Sequence, residues 1–97
     1  MLKEIAFMGT PVTDIQRARE FYEGVLGLKP TMESAGGTWV EYEPGNGTFA
    51  IGCYGAAWKP SADGTCVAFE VEDMDAAIGQ LKARDVKFAM EVMDTPV

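Results

Sequence analysis

Apolar residues recur along this chain in two rhythms, one suited to strands and one to helices. Ile5 to Val12 is apolar nearly throughout, with Pro11 near its end, and predicts a strand. Ile15, Ala18, Phe21, Tyr22, Val25 and Leu26 then return at threes and fours, the stripe of an amphipathic helix. Thr13 or Asp14 offers the N-cap, Thr13 with Gln16 makes a capping box, and Gly27 supplies the stop. After Pro30 a strand-like stretch runs to about Ser34 and turns at Gly36-Gly37. Thr38 to Glu43 predicts the next strand and Thr48 to Tyr54 its return, joined by Pro44-Gly45-Asn46-Gly47, where Asn-Gly suits the positive φ of a tight turn. The segment from Trp58 to Gly64 is the one candidate linker. Beyond it Thr65 to Val71 predicts a strand. Asp73 caps a second helix with the apolar face Met74, Ala77, Ile78 and Leu81, and Lys87 to Met93 predicts a further strand.

The two halves echo each other. Asp14 and Asp73, the two caps, lie 59 positions apart, and the same shift lays Val12 on Val71, Ile15 on Met74 and Ala18 on Ala77. Identities are few; what repeats is the order of strand, cap, amphipathic helix and exit strand, the mark of a duplicated unit. The first unit reads strand, helix, strand, strand, strand, whereas the second reads only strand, helix, strand.

Composition narrows the possibilities. At 97 residues the chain has room for one domain, and 47% hydrophobic with 24% charged residues is the balance of a globular protein. No apolar run approaches the ~20 residues of a membrane span, and the N-terminus lacks a signal peptide's basic and apolar regions, so a cytoplasmic location without membrane contact is expected. A net charge of -7 without a basic patch argues against nucleic acid as a partner. There is no histidine, which excludes a Ser-His-Asp triad, a Cys-His pair and any imidazole-bearing metal site within the chain. The two cysteines, Cys53 and Cys66, are too few for a four-thiolate site and are expected to be reduced thiols.

Pro11-Val12-Thr13-Asp14-Ile15, then Ala18, Phe21-Tyr22 and Val25-Leu26-Gly27-Leu28, resembles the opening of the vicinal oxygen chelate superfamily, which holds glyoxalase I, extradiol dioxygenases, fosfomycin-resistance enzymes and bleomycin-resistance proteins. Phe49-Ala50-Ile51-Gly52 and Val67 to Asp73 resemble its later strands. The resemblance implies an α+β fold of tandem βαβββ modules forming a cup-shaped mixed sheet, the second module here truncated to βαβ. Module one would span about 1–57, the linker about 58–64 and module two about 65–97. The resemblance also implies two absent strands. Either the sequence is a piece of a longer product or a partner chain covers the gap, because otherwise an open, sticky sheet edge would remain.

In metal-using members the first-strand ligand, a His, would fall on Phe7, the second on Gly52 and the third on Cys66, with a fourth beyond Val97. Phenylalanine and glycine offer no donor, and Cys66 alone cannot hold zinc or iron. No metal or other cofactor is therefore expected; a divalent ion held by carboxylates is the alternative. Strand alternation would turn Ile5, Phe7, Gly9, Ala50, Gly52, Tyr54, Cys66, Ala68 and Glu70 toward the cup. Ala6, Met8, Phe49, Ile51, Val67, Phe69 and Val71 would then face the helices. That alternation also places Cys53 and Cys66 on opposite faces, against a disulfide between them.

Trp39, Tyr54 and Trp58 are candidate walls for a planar or cationic ligand, with Phe7, Gly52 and Cys66 the remaining ligand-binding candidates; packing in a core or dimer contact is the plainer role for the two tryptophans. Glu41 and Glu70 are candidate bases if buried, and solvated carboxylates otherwise. Cys66 reads as a buried apolar thiol, having no nearby base to activate it. Glu20, Glu23, Asp73 and Asp75 read as a cap and solvated helix faces. The functional expectation is a metal-independent, bleomycin-resistance-like homodimer that binds a small organic ligand. The alternative is a glyoxalase-like lyase or isomerase, or a dioxygenase-related enzyme, using Glu41, Glu70 or a metal completed by residues beyond Val97.

Overall fold

A computed structural model describes residues 1–92. Strand β1 (Met8–Pro11) leads into helix α1 (Ile15–Arg19), which continues as a π-helical turn over Glu20–Val25. Strands β2 (Pro30–Glu33), β3 (Trp39–Tyr42) and β4 (Phe49–Gly52) follow, then a short 3₁₀ turn at Gly55–Ala57 and helix α2 (Met74–Ala83). The sheet order is β1-β4-β3-β2. β4 pairs antiparallel with β3 and parallel with β1, so α1 is the crossover of a βαβ connection.

The local chemistry explains these elements. The Asp14 carboxylate accepts the backbone N–H of Arg17 at 3.0 Å, so Asp14 rather than Thr13 caps α1, and Asp73 does the same for Ala76 at 3.0 Å in α2. In the π-helical turn the N–H of Leu26 reaches back five residues to the carbonyl of Phe21, and Gly27 ends it at φ +77. Gly36-Gly37 turns as its sequence predicts. In the β3–β4 connection the positive φ falls on Gly45 (+70), not on Asn46-Gly47, because the six residues from Glu43 to Thr48 form a longer loop than the two-residue turn that Asn-Gly would serve.

Alternation divides β3 cleanly: Val40 and Tyr42 are buried while Trp39 and Glu41 are half-buried on the opposite face. Val40, Tyr42, Phe49 and Ile51 form the core, with Val12, Ile15, Ala18, Tyr22, Leu28 and Val67 packed against it. The Phe69 ring meets Phe49 edge-on at 5.2 Å, so Val67 and Phe69 lie on the helix side, as alternation predicts. Each of these buried side chains contributes up to about 1.5–3 kcal/mol.

An ion network closes this side of the sheet. Arg19 contacts Glu23 at 2.7 Å and Glu33 at 2.6 Å, and the buried Tyr42 hydroxyl donates to Glu23 at 2.8 Å. Glu23 is therefore a structural partner of the core rather than part of a solvated helix face.

Three strand expectations change. β1 starts at Met8, and Ile5 is 79% exposed. Residues 65–71 and 87–92 form no strand among the described residues; the last predicted strand position, Met93, lies outside them. A strand exists by hydrogen bonding to a neighbour, and among the described residues neither segment has one. On α2, Ala77, Ile78 and Leu81 are half-buried as expected, but Met74 is 60% exposed. The Arg84 guanidinium donates to the Gly24 carbonyl, tying the end of α2 to the π-helical turn. No helix among the described residues is long and apolar enough to cross a membrane.

Candidate functional site

The sheet face turned away from α1 carries the aromatic residues left over from the core. Cross-strand register sets Trp39 beside Gly52 and Glu41 beside Ala50, and Gly9 lies opposite Ala50 on the other flank of β4. Small residues on β1 and β4 thus form a floor, and large rings from outside those strands lie on it. The Phe7 ring meets Trp39 edge-on at 5.2 Å and 83°. Trp39 and Trp58 are stacked at 6.3 Å and 25°, and Tyr54 leans on Trp58 at 6.5 Å.

Gly52 is where the rings converge. A Cβ there would stand 2.9 Å from Trp39 Cε3, Trp58 Cζ3 and Tyr54 Cε2 alike. At Gly9 it would stand 3.0 Å from Trp58 and 3.5 Å from both Phe7 and Trp39. Both positions need glycine because the rings occupy the space of a side chain, not because of backbone strain. The Trp39 indole N–H donates to Glu41 Oε2 at 2.8 Å, which fixes the ring's orientation and satisfies its polar edge. The outer faces of the cluster remain accessible: Phe7 is 48% and Tyr54 46% exposed, and both tryptophans are half-buried.

Beside this cluster lies a cavity of about 320 Å³, bounded by Gly9, Thr10, Pro11, Trp58 to Ser61, Gly64 and Thr65. Trp58 and Gly9 belong to both. The segment read from sequence as a linker is therefore one wall of a cavity. The signal for it was present in Trp58-Lys59-Pro60, a large ring followed by a residue of fixed φ, which favours a defined path over a flexible tether.

Of the ligand-binding candidates, Phe7, Trp39, Gly52, Tyr54 and Trp58 come together on this face. Cys66 does not join them: it is an exposed free thiol, not a buried apolar one, because residues 65–71 gain no strand partner to carry it under cover. Cys53 is also free. Of the two candidate bases, Glu41 is half-buried and bonded to the cluster, whereas Glu70 is exposed. Glu70 thus meets the solvated alternative, since its segment makes no sheet pairing.

Perturbed titrations concentrate on the helix side instead. Burial raises the Tyr42 phenol far above its ordinary value, and its bond to the Glu23 carboxylate raises it further. Burial also pushes the Glu23 carboxyl up, but the hydrogen bonds from Arg19 and Tyr42, with the guanidinium charge, outweigh it and hold Glu23 below its ordinary value.

A strand, a crossover helix and three further strands, with the first and last strands parallel and an aromatic patch opposite the helix, define a βαβββ unit. The sequence matches the profile of the Glyoxalase/Bleomycin resistance protein/Dioxygenase superfamily over residues 4–97, and the chain belongs to that family. Solved structures agree on the fold. A glyoxalase/bleomycin resistance protein/dioxygenase from Nocardioides superposes with a TM-score of 0.69 at 18% identity, over 99% of this chain and 72% of that one. A genomically encoded fosfomycin resistance protein from Listeria monocytogenes gives 0.71 at 13%, over 98% and 76%. A bleomycin resistance determinant encoded on the transposon Tn5 gives 0.66 at 18%, over 93% and 72%. Among curated protein sequences none matches.

The family includes metal-using enzymes, and a divalent ion requires several donor side chains at the corresponding positions. Phe7 has no donor atom, the space beyond Gly52 is filled by three rings, and Cys66 is an exposed thiol. Among the described residues no three carboxylate or thiol groups stand close enough to share an ion. These positions do not fit the metal site of the family's enzymes.

Proposed function

We propose that this protein binds a small organic ligand on the aromatic face opposite α1, independently of metal. It would act as a binding protein of the bleomycin-resistance kind rather than as a lyase. The observation that carries this reading is the convergence of Phe7, Trp39, Tyr54 and Trp58 over the glycine floor, at a place where the family's enzymes would use ligand-bearing side chains. Rings with accessible faces next to a cavity of about 320 Å³ supply apolar area and shape, the means by which a small-molecule site gains affinity without an ion. One solved neighbour of the same fold is named as a bleomycin resistance determinant. A cytoplasmic homodimer is part of this reading; its dimeric element is supported by β1, which among the described residues has a sheet neighbour on one side only.

The two tryptophans of the chain both belong to this cluster, so tryptophan emission reports on the site. The test is a screen of water-soluble neutral, cationic and anionic aromatic compounds, followed by thermal shift and by tryptophan emission. A ligand at a hundred times its dissociation constant adds about 2.7 kcal/mol. For a domain this small that raises the melting temperature by roughly 10–20 °C. Compounds that stabilise the fold and also perturb the emission support the reading. Stabilisation without any change in emission places binding elsewhere and overturns it.

A further inference from the structure

The aromatic face has a charge as well as a shape. Glu41 projects onto it from β3, paired in register with Ala50 and bonded through Oε2 to the Trp39 indole. The other strand residues of that face, Gly9, Pro11, Met32, Trp39, Ala50 and Gly52, and the flanking Phe7 and Tyr54 carry no charge; Glu43, just past the end of β3 on the same alternation, is exposed. Resting on the ligand-binding reading above, we propose that the site takes an alkyl- or aryl-ammonium ligand, with its cationic head against the Phe7 and Trp39 rings and paired with the Glu41 carboxylate.

Three features favour a cation. First, the rings are not coplanar: Phe7 stands at 83° to Trp39 while Trp58 lies within 25° of it. A compact ammonium group can therefore meet more than one π face, the arrangement in which ring quadrupoles bind cations best. Second, Glu41 Oε2 takes the indole N–H, and Oε1 has no hydrogen-bond partner among the described residues. Accepting that N–H also pushes electron density into the indole, which strengthens its attraction for positive charge.

Third, the competing ligand types fare worse. A neutral ring laid over the face would stack, but it would strip water from a carboxylate and leave it unpaired. An anion would be repelled by Glu41 and by a chain of net charge -7. Lys59 lines the adjacent cavity, but it is exposed, where solvent and salt screen it.

The experiment compares benzyltrimethylammonium, its uncharged carbon isostere neopentylbenzene, and benzoate, each titrated into the full chain while tryptophan emission is followed. The cation is expected to bind about tenfold or more tightly than the isostere, and benzoate most weakly. Glu41→Gln keeps an acceptor oxygen for the Trp39 indole while removing the charge. It should weaken the cation roughly fivefold or more and leave the isostere unchanged or tighter. A salt titration of the unmodified protein tests the same charge pairing without a variant, since only the cation's affinity should fall with salt.

Equal affinity for cation and isostere, or an equal effect of Glu41→Gln on both, overturns the ammonium inference and leaves the ligand-binding reading standing. If neither these probes nor any compound of the aromatic screen perturbs the emission, both fail. Emission that varies with protein concentration as a dimer forms, and that no probe alters, would mean that a second copy covers the face; that result also overturns the inference.

Discussion

Replacing Gly52 by alanine tests the assembly of the aromatic face with one methyl group. Its Cβ would lie 2.9 Å from carbon atoms of Trp39, Trp58 and Tyr54, several tenths of an ångström inside ordinary carbon–carbon contact at about 3.5–4.0 Å. One ring could swing aside at little cost. Three converging on one point cannot all do so without giving up their mutual contacts, each worth about 0.5–1.5 kcal/mol. The expected loss is therefore about 1–3 kcal/mol, the usual range for an added methyl in a packed site. In a chain of 97 residues this corresponds to a melting temperature lower by roughly 5–20 °C. Emission should shift to the red as one or both indoles move toward water. Gly9→Ala is the internal control: only Trp58, at 3.0 Å, must give way, so its effect should be smaller. Differential scanning calorimetry and emission spectra of the two variants check both points. A Gly52→Ala protein with unchanged melting temperature and spectrum would show that the rings do not rest on that glycine.

Other perturbations separate the helix side from the aromatic face. Tyr42→Phe removes the hydroxyl that donates to Glu23 and should cost about 1–2 kcal/mol in urea denaturation at neutral pH, since the acceptor is charged but keeps Arg19. Glu23 is held below its ordinary 4.5, so its contribution is complete above that pH and fades as pH falls through the depressed folded-state value. The gap between wild type and Tyr42→Phe should accordingly narrow in acid, and a gap of constant size would contradict the role given to Glu23. Gly79 is exposed in the middle of α2, with nothing within 4 Å of the position its Cβ would take, so Gly79→Ala should raise stability by about 0.5–1 kcal/mol. Gly37→Ala, at φ +72, should lower it, and the two urea midpoints together check the backbone reasoning.

Much of the first half of the fold was legible in the residues. The three-and-four spacing from Ile15, the caps Asp14 and Asp73, and the turn at Gly36-Gly37 before β3 rest on local rules that hold whatever surrounds them. The division of faces was legible too, because alternation along β3 needs only the pleat. The π-helical turn at Glu20–Val25 was not, since a stripe of apolar residues fixes which face is buried but not whether N–H groups reach back four or five positions. Segments 65–71 and 87–92 show the limit of strand reading: their residues favour extension, but pairing depends on a neighbour that periodicity does not reveal.

At the site, Trp39, Gly52 and Tyr54 could be placed by register, whereas the contact of Trp58 with them depends on the path of the loop. Glu23 shows the same limit from the other side. Its helical position suggests solvent, and only the arrival of Tyr42 from β3 gives it a partner in the core.

The claim at the centre is that this face recognises its ligand through rings and one carboxylate, with no ion between. The most direct measurement is the dissociation constant of benzyltrimethylammonium, read from tryptophan emission in protein stripped with a chelator and again after stoichiometric zinc, nickel or magnesium is added. The same constant in all four samples is the expected result. Binding that vanishes on chelation and returns with one equivalent of metal would contradict it.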